Sequence, residues 1–374
     1  MRVTAARLHR VRLPLVHAFR TSSHSKAGLD HILVELEDAS GTVGWGEIAS
    51  PSDPYYAPET VESCWHIAEH YLLPAVLGQE WDAAEQVPQY WAKVRGNQFA
   101  KAGVDVAAWV LWSTVHGVPL AKALGGTRTE VTAGVSLGIE PTVDELLAEV
   151  RRQVEAGYPR VKLKIAPGWD VEPVRAVRAE YPDLDLHVDA NGSYSESAEQ
   201  LAALRALDEF GLTMIEQPFA PRDLLAHARL QRTVETPVCL DESVETLADL
   251  ETALSLEALR VLNIKVSRMG GLTVARAAHD LAQQAGIPVW CGGMHEFGIG
   301  RAANVALSSL PGFTLPSDVS ASEKYYARDV VTPPVVARQG VVRVPESAGL
   351  GHGVDTDLIA ANTIATTTIA TTAL

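Results

Sequence analysis

The apolar positions of this chain follow two rhythms, and the change between them falls near residue 125. Beyond it, short β-branched runs alternate with segments whose apolar residues recur every three or four positions, the pattern of strands alternating with amphipathic helices. Strand candidates cover 131–137, the runs ending near Lys164, Asp189, Glu216, Asp241 and Lys265, then 287–291 and 313–315. Helical patterns between them cover 143–156, 171–180, 197–208, 224–234, 244–254 and 272–285. Eight strands at a period of about 25 residues predict an α/β fold, a modified TIM barrel of the (β/α)7β type with its last helix shortened or replaced.

The first 125 residues do not keep this beat. Residues 3–15 alternate loosely, and 31–36 run through Asp38-Ala39-Ser40-Gly41 into Thr42-Val43-Gly44-Trp45-Gly46-Glu47, which reads as a β-hairpin. Helical patterns follow at 59–77, 83–94, 101–115 and 120–124, the last stopped by Gly125-Gly126. Strands followed by helices predict an α+β capping domain over 1–125, ahead of a barrel over 126–320. Two polar cap loops, 19–26 and 50–56, are expected to be exposed. Residues 321–374 are expected to return to the cap through 335–344 and to end in an uncharged, Thr/Ala-rich tail, 363–374, poorly ordered or loosely docked.

The charges sit where the strands end. Side chains alternate along a strand, so Lys162 and Lys164 of Val161-Lys162-Leu163-Lys164-Ile165 project to one side, where two cations repel. The next runs end in Asp189 of His187-Val188-Asp189-Ala190-Asn191, Glu216 of Met214-Ile215-Glu216-Gln217-Pro218, Asp241 of Cys239-Leu240-Asp241-Glu242-Ser243, and Lys265 of Asn263-Ile264-Lys265-Val266-Ser267. Barrel chemistry is placed at such strand ends. One carboxylate there would read as a salt-bridge partner, but three from consecutive strands crowd negative charge that a hard divalent cation relieves. An oxygen-only set without His or Cys favours Mg²⁺, with Mn²⁺ or another divalent cation as the alternative.

Lys164 and Lys265 fall on opposite sides of the mouth, with the metal site along the wall between them. A neighbouring cation and Mg²⁺ both disfavour the ammonium form, so these lysines are expected to titrate low and to serve as bases. The matching target is a carbon acid beside a carboxylate, its enediolate held by the metal. Lys162 reads either as a counter-ion for the carboxylates, or as a group that tunes Lys164 or binds the substrate carboxylate.

Composition narrows the partners. Of 374 residues, 47% are hydrophobic, and 31 Lys+Arg stand against 46 Asp+Glu, a net charge of −15. That surplus of acid disfavours nucleic acid and anionic membranes. The expected partner is the small-molecule carboxylate substrate that the site chemistry implies, and the expected assembly is a homo-oligomer. Three scattered cysteines, Cys64, Cys239 and Cys291, suit a reducing, cytoplasmic setting. The apolar runs are too short for a membrane span, and the first thirty residues lack the apolar stretch of a signal peptide.

The pair Lys162-Leu163-Lys164, the Asp189-Ala190-Asn191, Glu216-Gln217-Pro218 and Asp241-Glu242-Ser243 motifs and the Lys265 strand resemble the muconate-lactonizing subgroup of the enolase superfamily. Lysine bases working beside Mg²⁺-stabilised ene-diolates are that superfamily's known chemistry. More narrowly, Phe19-Arg20-Thr21-Ser22, Gly44-Trp45-Gly46-Glu47, Trp290-Cys291-Gly292-Gly293-Met294 and Gly298-Ile299-Gly300-Arg301-Ala302-Ala303-Asn304 are similar to the o-succinylbenzoate synthase / N-acylamino acid racemase family. The resemblance spans nearly the whole chain and implies Lys164 and Lys265 as the acid/base pair. It also implies Asp189, Glu216 and Asp241 as Mg²⁺ ligands, with Asn191 and Glu242 supporting them. Two activities follow from it: dehydration toward o-succinylbenzoate, a step of menaquinone synthesis, and racemisation of N-acylamino acids by lysines on opposite faces.

The pocket wall departs from the family pattern. Where many relatives carry an aliphatic residue and then Glu-Thr-Gly after Gly292-Gly293-Met294, this chain has His295-Glu296-Phe297-Gly298. His295 reads as a third acid/base group, as a contact to a substrate carboxyl or acyl oxygen, or as a hydrogen-bonded rim histidine. The Gly298-Ile299-Gly300 run would place N–H groups at a helix start near an anion. Dipeptide epimerases of the subgroup are expected to carry two aspartates one residue apart after the eighth strand, and here only Asp318 is present. Phe19, Tyr55, Met294, Tyr325 and Tyr326 are candidates for the apolar substrate wall or for ordinary packing between cap and barrel. Cycloisomerisation or acid-sugar dehydration through the same intermediate is the rival enzyme reading, although acid-sugar enzymes would be expected to place a His where Lys265 stands. A non-catalytic barrel binding a metal or a carboxylate is the rival of another class.

Overall fold

The computed structural model describes residues 1–20 and 25–370, the side chains of 17–20 and 25–27 excepted. Three antiparallel strands, β1 (Val3–Arg20), β2 (Ser25–Asp38) and β3 (Val43–Ile48), form the N-terminal part of a four-stranded cap sheet. The expected hairpin joins β2 to β3, with the Asp38 carboxylate accepting from the N–H groups of Ser40 (2.9 Å) and Thr42 (3.0 Å). Behind the sheet lies α1 (Gln98–Val115). A Cβ on Gly46 would sit 2.0 Å from the Gly103 carbonyl oxygen, and one on Gly44 2.3 Å from that of Ala107. The two glycines of Gly44-Trp45-Gly46-Glu47 therefore let β3 lie directly on α1.

The barrel supplies seven parallel strands in sequential order: β4 (Val135–Leu137), β5 (Arg160–Lys164), β6 (Asp185–Asp189), β7 (Met214–Glu216), β8 (Val238–Leu240), β9 (Val261–Ile264) and β10 (Val289–Cys291). A helix follows each, the last two being α2 (Leu272–Gln284) and α3 (Gly298–Ser308). Residues 313–318 close the ring without a regular strand. Phe313 bridges Val289 and Ser317 bridges Ala133, both in parallel, and Gly134 N–H donates to Ser317 O at 2.8 Å. A single turn, Ser322–Lys324, stands where an eighth helix would follow. This is the expected (β/α)7β pattern. Among the described residues no helix is long and apolar enough to cross a membrane.

Three sequence expectations differ. Thr363–Ala370 is not a loose tail but a strand paired antiparallel with β1. Its β-branched threonines and isoleucines suit a strand, and their pairing covers an otherwise open edge of β1. The 335–344 segment does not rejoin the cap. Its Val341–Arg343 strand pairs with Glu130–Thr132, just ahead of β4. The helix expected over 59–77 is broken into Val61–Ile67, one wide turn Ala68–Leu72, and Leu73–Val76. Pro74 has no N–H with which to continue the regular ladder there.

Cap and barrel meet through buried carboxylates at helix starts. Asp105 of α1, fully buried, accepts from Thr273 N–H at 3.0 Å and Thr273 Oγ1 at 2.6 Å, capping α2 from across the seam. Burial pushes its carboxyl up to about 7, against the pull of the Thr273 hydrogen bonds. A raised carboxyl binds its proton more tightly folded than unfolded, so its contribution is whole below about pH 4 and is lost as pH rises through about 7. Asp105→Asn should flatten that part of the stability profile, a difference of at most about 4 kcal/mol between the two limits. Thermal unfolding of both proteins between pH 4 and 8 measures it, and identical slopes would remove Asp105 from the account.

Candidate active site

Strand register brings the charges together. Lys164 pairs across from Asp189, and Asp189 across from Glu216, so three consecutive strand ends finish level. Lys164 Nζ donates to Asp189 Oδ2 at 2.6 Å and also to Asn191 Oδ1. Lys162 Nζ reaches Asp189 Oδ2 at 3.1 Å and Glu216 Oε2 at 2.8 Å, with Asp318 Oδ2 at 3.7 Å. Across the ring, Lys265 Nζ lies 2.8 Å from Asp241 Oδ2, and Arg268 binds the other oxygen of Asp241. Asn191, at a positive φ of 44°, turns back so that its side chain donates to Glu242 Oε1 at 2.9 Å. Gln217, at φ 41°, accepts from the N–H groups of Asp241 (3.0 Å) and Ser243 (3.2 Å) and thereby fixes the end of β8.

This crowding sets the protonation of the site. Burial opposes ionisation of Asp189, but Lys164 and Lys162 win and hold it down at about 2. Burial also opposes ionisation of Asp241, which Lys265 and Arg268 nevertheless hold well below the ordinary carboxylate range. Glu216 is pushed up to about 8, by burial first and then by Asp189. Glu242 is raised to about 7 by burial and by the charges of Asp241 and Asp189. Burial alone would lower Lys265 and Lys162. The carboxylates around them outweigh it and raise both, a pull that a divalent cation held by those same carboxylates would offset.

The strand ends open into a cavity of about 310 Å³ roofed by the 50–56 cap loop. Lys162, Lys164, Asp189, Asn191, Glu242 and Lys265 line it, whereas Glu216 and Asp241 lie beneath that lining, fully buried. Met294 and His295 also line the cavity, the His295 ring lying 5.0 Å from that of Tyr325. Burial, with Arg301, Lys324 and Lys164 nearby, pushes the His295 imidazole down to about 3, so it is neutral near neutral pH. Tyr55 stands at the rim, 70% exposed. Tyr325 faces the cavity, but Tyr326 is buried, its hydroxyl donating to the His295 carbonyl at 2.5 Å. The side chain of Phe19, and with it the Phe19-Arg20-Thr21-Ser22 motif, lies outside the described residues. Lys162 is ion-paired with Asp189 and Glu216. Asp318, the lone aspartate after the eighth segment, is held by Arg160 and by Ser136 Oγ, each at 2.8 Å.

Sequence reasoning missed several neighbours. Tyr56, beside the chosen Tyr55, donates to Asp241 Oδ1 at 2.8 Å and accepts from Lys265 Nζ at 3.1 Å. No local pattern separates the two tyrosines. Asn263 donates to Glu216 Oε1 at 2.6 Å, and its place two residues before Lys265 on one strand face was a usable signal. Arg268 had none, because its contact arises from the turn after β9.

The donor set suits a hard cation. It is all oxygen, its carboxylates repel one another, and one buried oxygen, Glu242 Oε2, has no hydrogen-bond partner. As the side chains stand, no three acidic, His or Cys groups among the described residues are gathered tightly enough to share one ion, each carboxylate being turned toward a lysine or arginine. By the chemistry of its oxygens, the set would suit Mg²⁺.

A capped barrel with cations facing a carboxylate cluster across one mouth defines an enzyme of the enolase superfamily. Residues 145–358 match the enolase C-terminal domain-like family, and residues 2–125 match the mandelate racemase / muconate lactonizing enzyme N-terminal domain. The chain belongs to that superfamily and, within it, to the family of o-succinylbenzoate synthases and N-succinylamino acid racemases. It is 46% identical over 348 residues to an o-succinylbenzoate synthase of Geobacillus kaustophilus, covering 93% of this chain and 92% of that one. It is 44% identical over 353 residues to an N-succinylamino acid racemase of Amycolatopsis, covering 94% and 95%. A crystal structure of an enolase superfamily member from Listeria innocua superimposes with a TM-score of 0.96 at 38% identity, covering 99% of both chains. Members of the superfamily use Mg²⁺.

Proposed function

We propose that this chain withdraws the proton α to a carboxylate, through an enediolate, acting as an N-succinylamino acid racemase, as an o-succinylbenzoate synthase, or as both. The observation that carries this reading is the placement of β5 and β9 half way round an eight-position ring, so that Lys164 and Lys265 line one cavity from opposite sides. Asp189, Glu216 and Asp241 would hold Mg²⁺, which supplies positive charge where the substrate carboxylate becomes an enediolate. Asn191 and Glu242 orient that cluster from beside Lys164. In racemisation, the lysine on one face receives the α-proton at Nζ and the lysine on the other face returns one. In dehydration a single lysine removes the proton, and the hydroxyl leaves as water from the same side. Met294 and His295 are the barrel-side wall for the acyl or side-chain group, with Tyr55 at its rim; Phe19, on β1, joins this wall by the sequence resemblance alone. The buried free thiols Cys64, Cys239 and Cys291 suit a cytoplasmic setting.

Both chemistries share one intermediate, and relatives bearing the two names are nearly equally similar in sequence. Proton NMR in D₂O with Mg²⁺ separates them, offering N-succinylamino acids and, separately, the cyclohexadiene precursor of o-succinylbenzoate. Loss of the α-proton signal with loss of optical activity assigns racemisation, and fast dehydration with slow exchange assigns the synthase. Absence of both reactions would overturn the proposal.

A further inference from the structure

The Gly298-Ile299-Gly300 helix start does receive an anion, but the anion belongs to the protein. Glu47, at the end of the Gly44-Trp45-Gly46-Glu47 run on β3, has no exposed side-chain surface. Its Oε1 accepts from Phe297 N–H and its Oε2 from Gly300 N–H, both at 2.7 Å. α3 has no side-chain cap at its own N-cap, Phe297, so this carboxylate from the cap sheet serves in its place. A Cβ on Gly300 would meet Glu47 Oε2 at 3.0 Å and Glu296 Cβ at 2.9 Å, which explains why that position is glycine.

The same carboxylate holds a histidine. Glu47 Oε1 lies 2.6 Å from His31 Nδ1, and the His31 ring rests on Phe297 with centroids 4.5 Å apart. His31 lines the cavity from the cap, as Met294, His295 and Glu296 do from the barrel. With Nδ1 engaged, Nε2 is the ring nitrogen left for a ligand. His295 takes a positive φ of 61°, a conformation that a non-glycine residue keeps only where its surroundings hold it.

We propose that Glu47 is a positioning residue of this site, one carboxylate that fixes both walls of the pocket around the non-reacting end of the substrate. On the cap side it orients His31 to hydrogen-bond a polar oxygen of the acyl group. On the barrel side it pins the start of α3 and with it the 294–296 segment. This rests on the function proposed above for the identity of the ligand.

The test is Glu47→Gln, which keeps the size but offers a single acceptor oxygen. The expected result is a dissociation constant for an N-succinylamino acid, by calorimetry with Mg²⁺, raised about tenfold. KM should rise alike with kcat within about twofold, because the reacting groups are untouched. Amide hydrogen exchange should quicken at Phe297 or Gly300 but not at Thr273, which Asp105 caps independently. Glu47→Asp, which keeps the charge, should recover part of the affinity. His31→Phe, which keeps a ring against Phe297 without nitrogens, should also weaken binding. Unchanged affinity in Glu47→Gln, or equal loosening at Thr273, overturns the proposal. Wild-type protein that binds the ligand without exchanging its α-proton would sink the racemase activity, while the calorimetric comparison would still decide the role of Glu47.

Discussion

Lys265→Ala is expected to lower racemisation by at least about a thousandfold while leaving α-proton exchange on one enantiomer. Each lysine is assigned one face of the substrate, since β5 and β9 oppose each other around the ring. Without Lys265, Lys164 still meets substrate whose α-hydrogen points its way, so that enantiomer should wash its proton out into D₂O without inverting. Lys164→Ala should show the opposite preference. The fold should survive the Lys265 change because Asp241 keeps Arg268 and the Tyr56 hydroxyl as partners. NMR exchange on separately supplied enantiomers, with optical rotation followed alongside, reads both quantities. Exchange of both enantiomers at wild-type rates in Lys265→Ala would show that the two lysines do not divide the faces.

Metal removal is the second large effect. EDTA should abolish turnover and added Mg²⁺ should restore it; undiminished activity in EDTA would end the metal assignment. Among the three carboxylates, Glu216→Gln is the informative variant. Glutamine retains an oxygen to accept from Asn263, and Lys162 keeps Asp189 and Asp318 as neighbours, so little of the fold is lost. Mg²⁺ affinity, measured by calorimetry, should nonetheless fall by at least about 100-fold, since even loss of an outer-shell partner costs about 10- to 100-fold. Unaltered affinity would place the ion elsewhere.

Much of the site was legible because a barrel converts sequence period into position. Each strand ends at the same mouth, so Lys164, Asp189, Glu216, Asp241 and Lys265 could be grouped by their regular spacing, and Asn191 and Glu242 entered by resemblance next to ligand positions. What stayed hidden depended on contacts between distant elements. Tyr56 reaches Asp241 across 185 positions, and Glu47 reaches Gly300 across 253. The 363–370 segment read as a tail because its threonines carry no charge or apolar period. Only the free edge of β1, nearly the whole chain away, makes it a strand.

By itself the sequence determined the alternating strand and helix beat, the cap ahead of it and the residue types at each strand end, because periodicity and steric preference act over a few neighbours. Only the tertiary structure decided which charges pair, how burial shifts them and which residues wall the pocket. Lys265 illustrates the difference. Burial alone would lower its ammonium, but in the folded site Asp241, Tyr56, Glu242 and Glu216 surround it and raise it, a pull that a metal on those carboxylates would offset. Coulomb energies depend on separations in space and on exclusion of water, and neither is written along the chain.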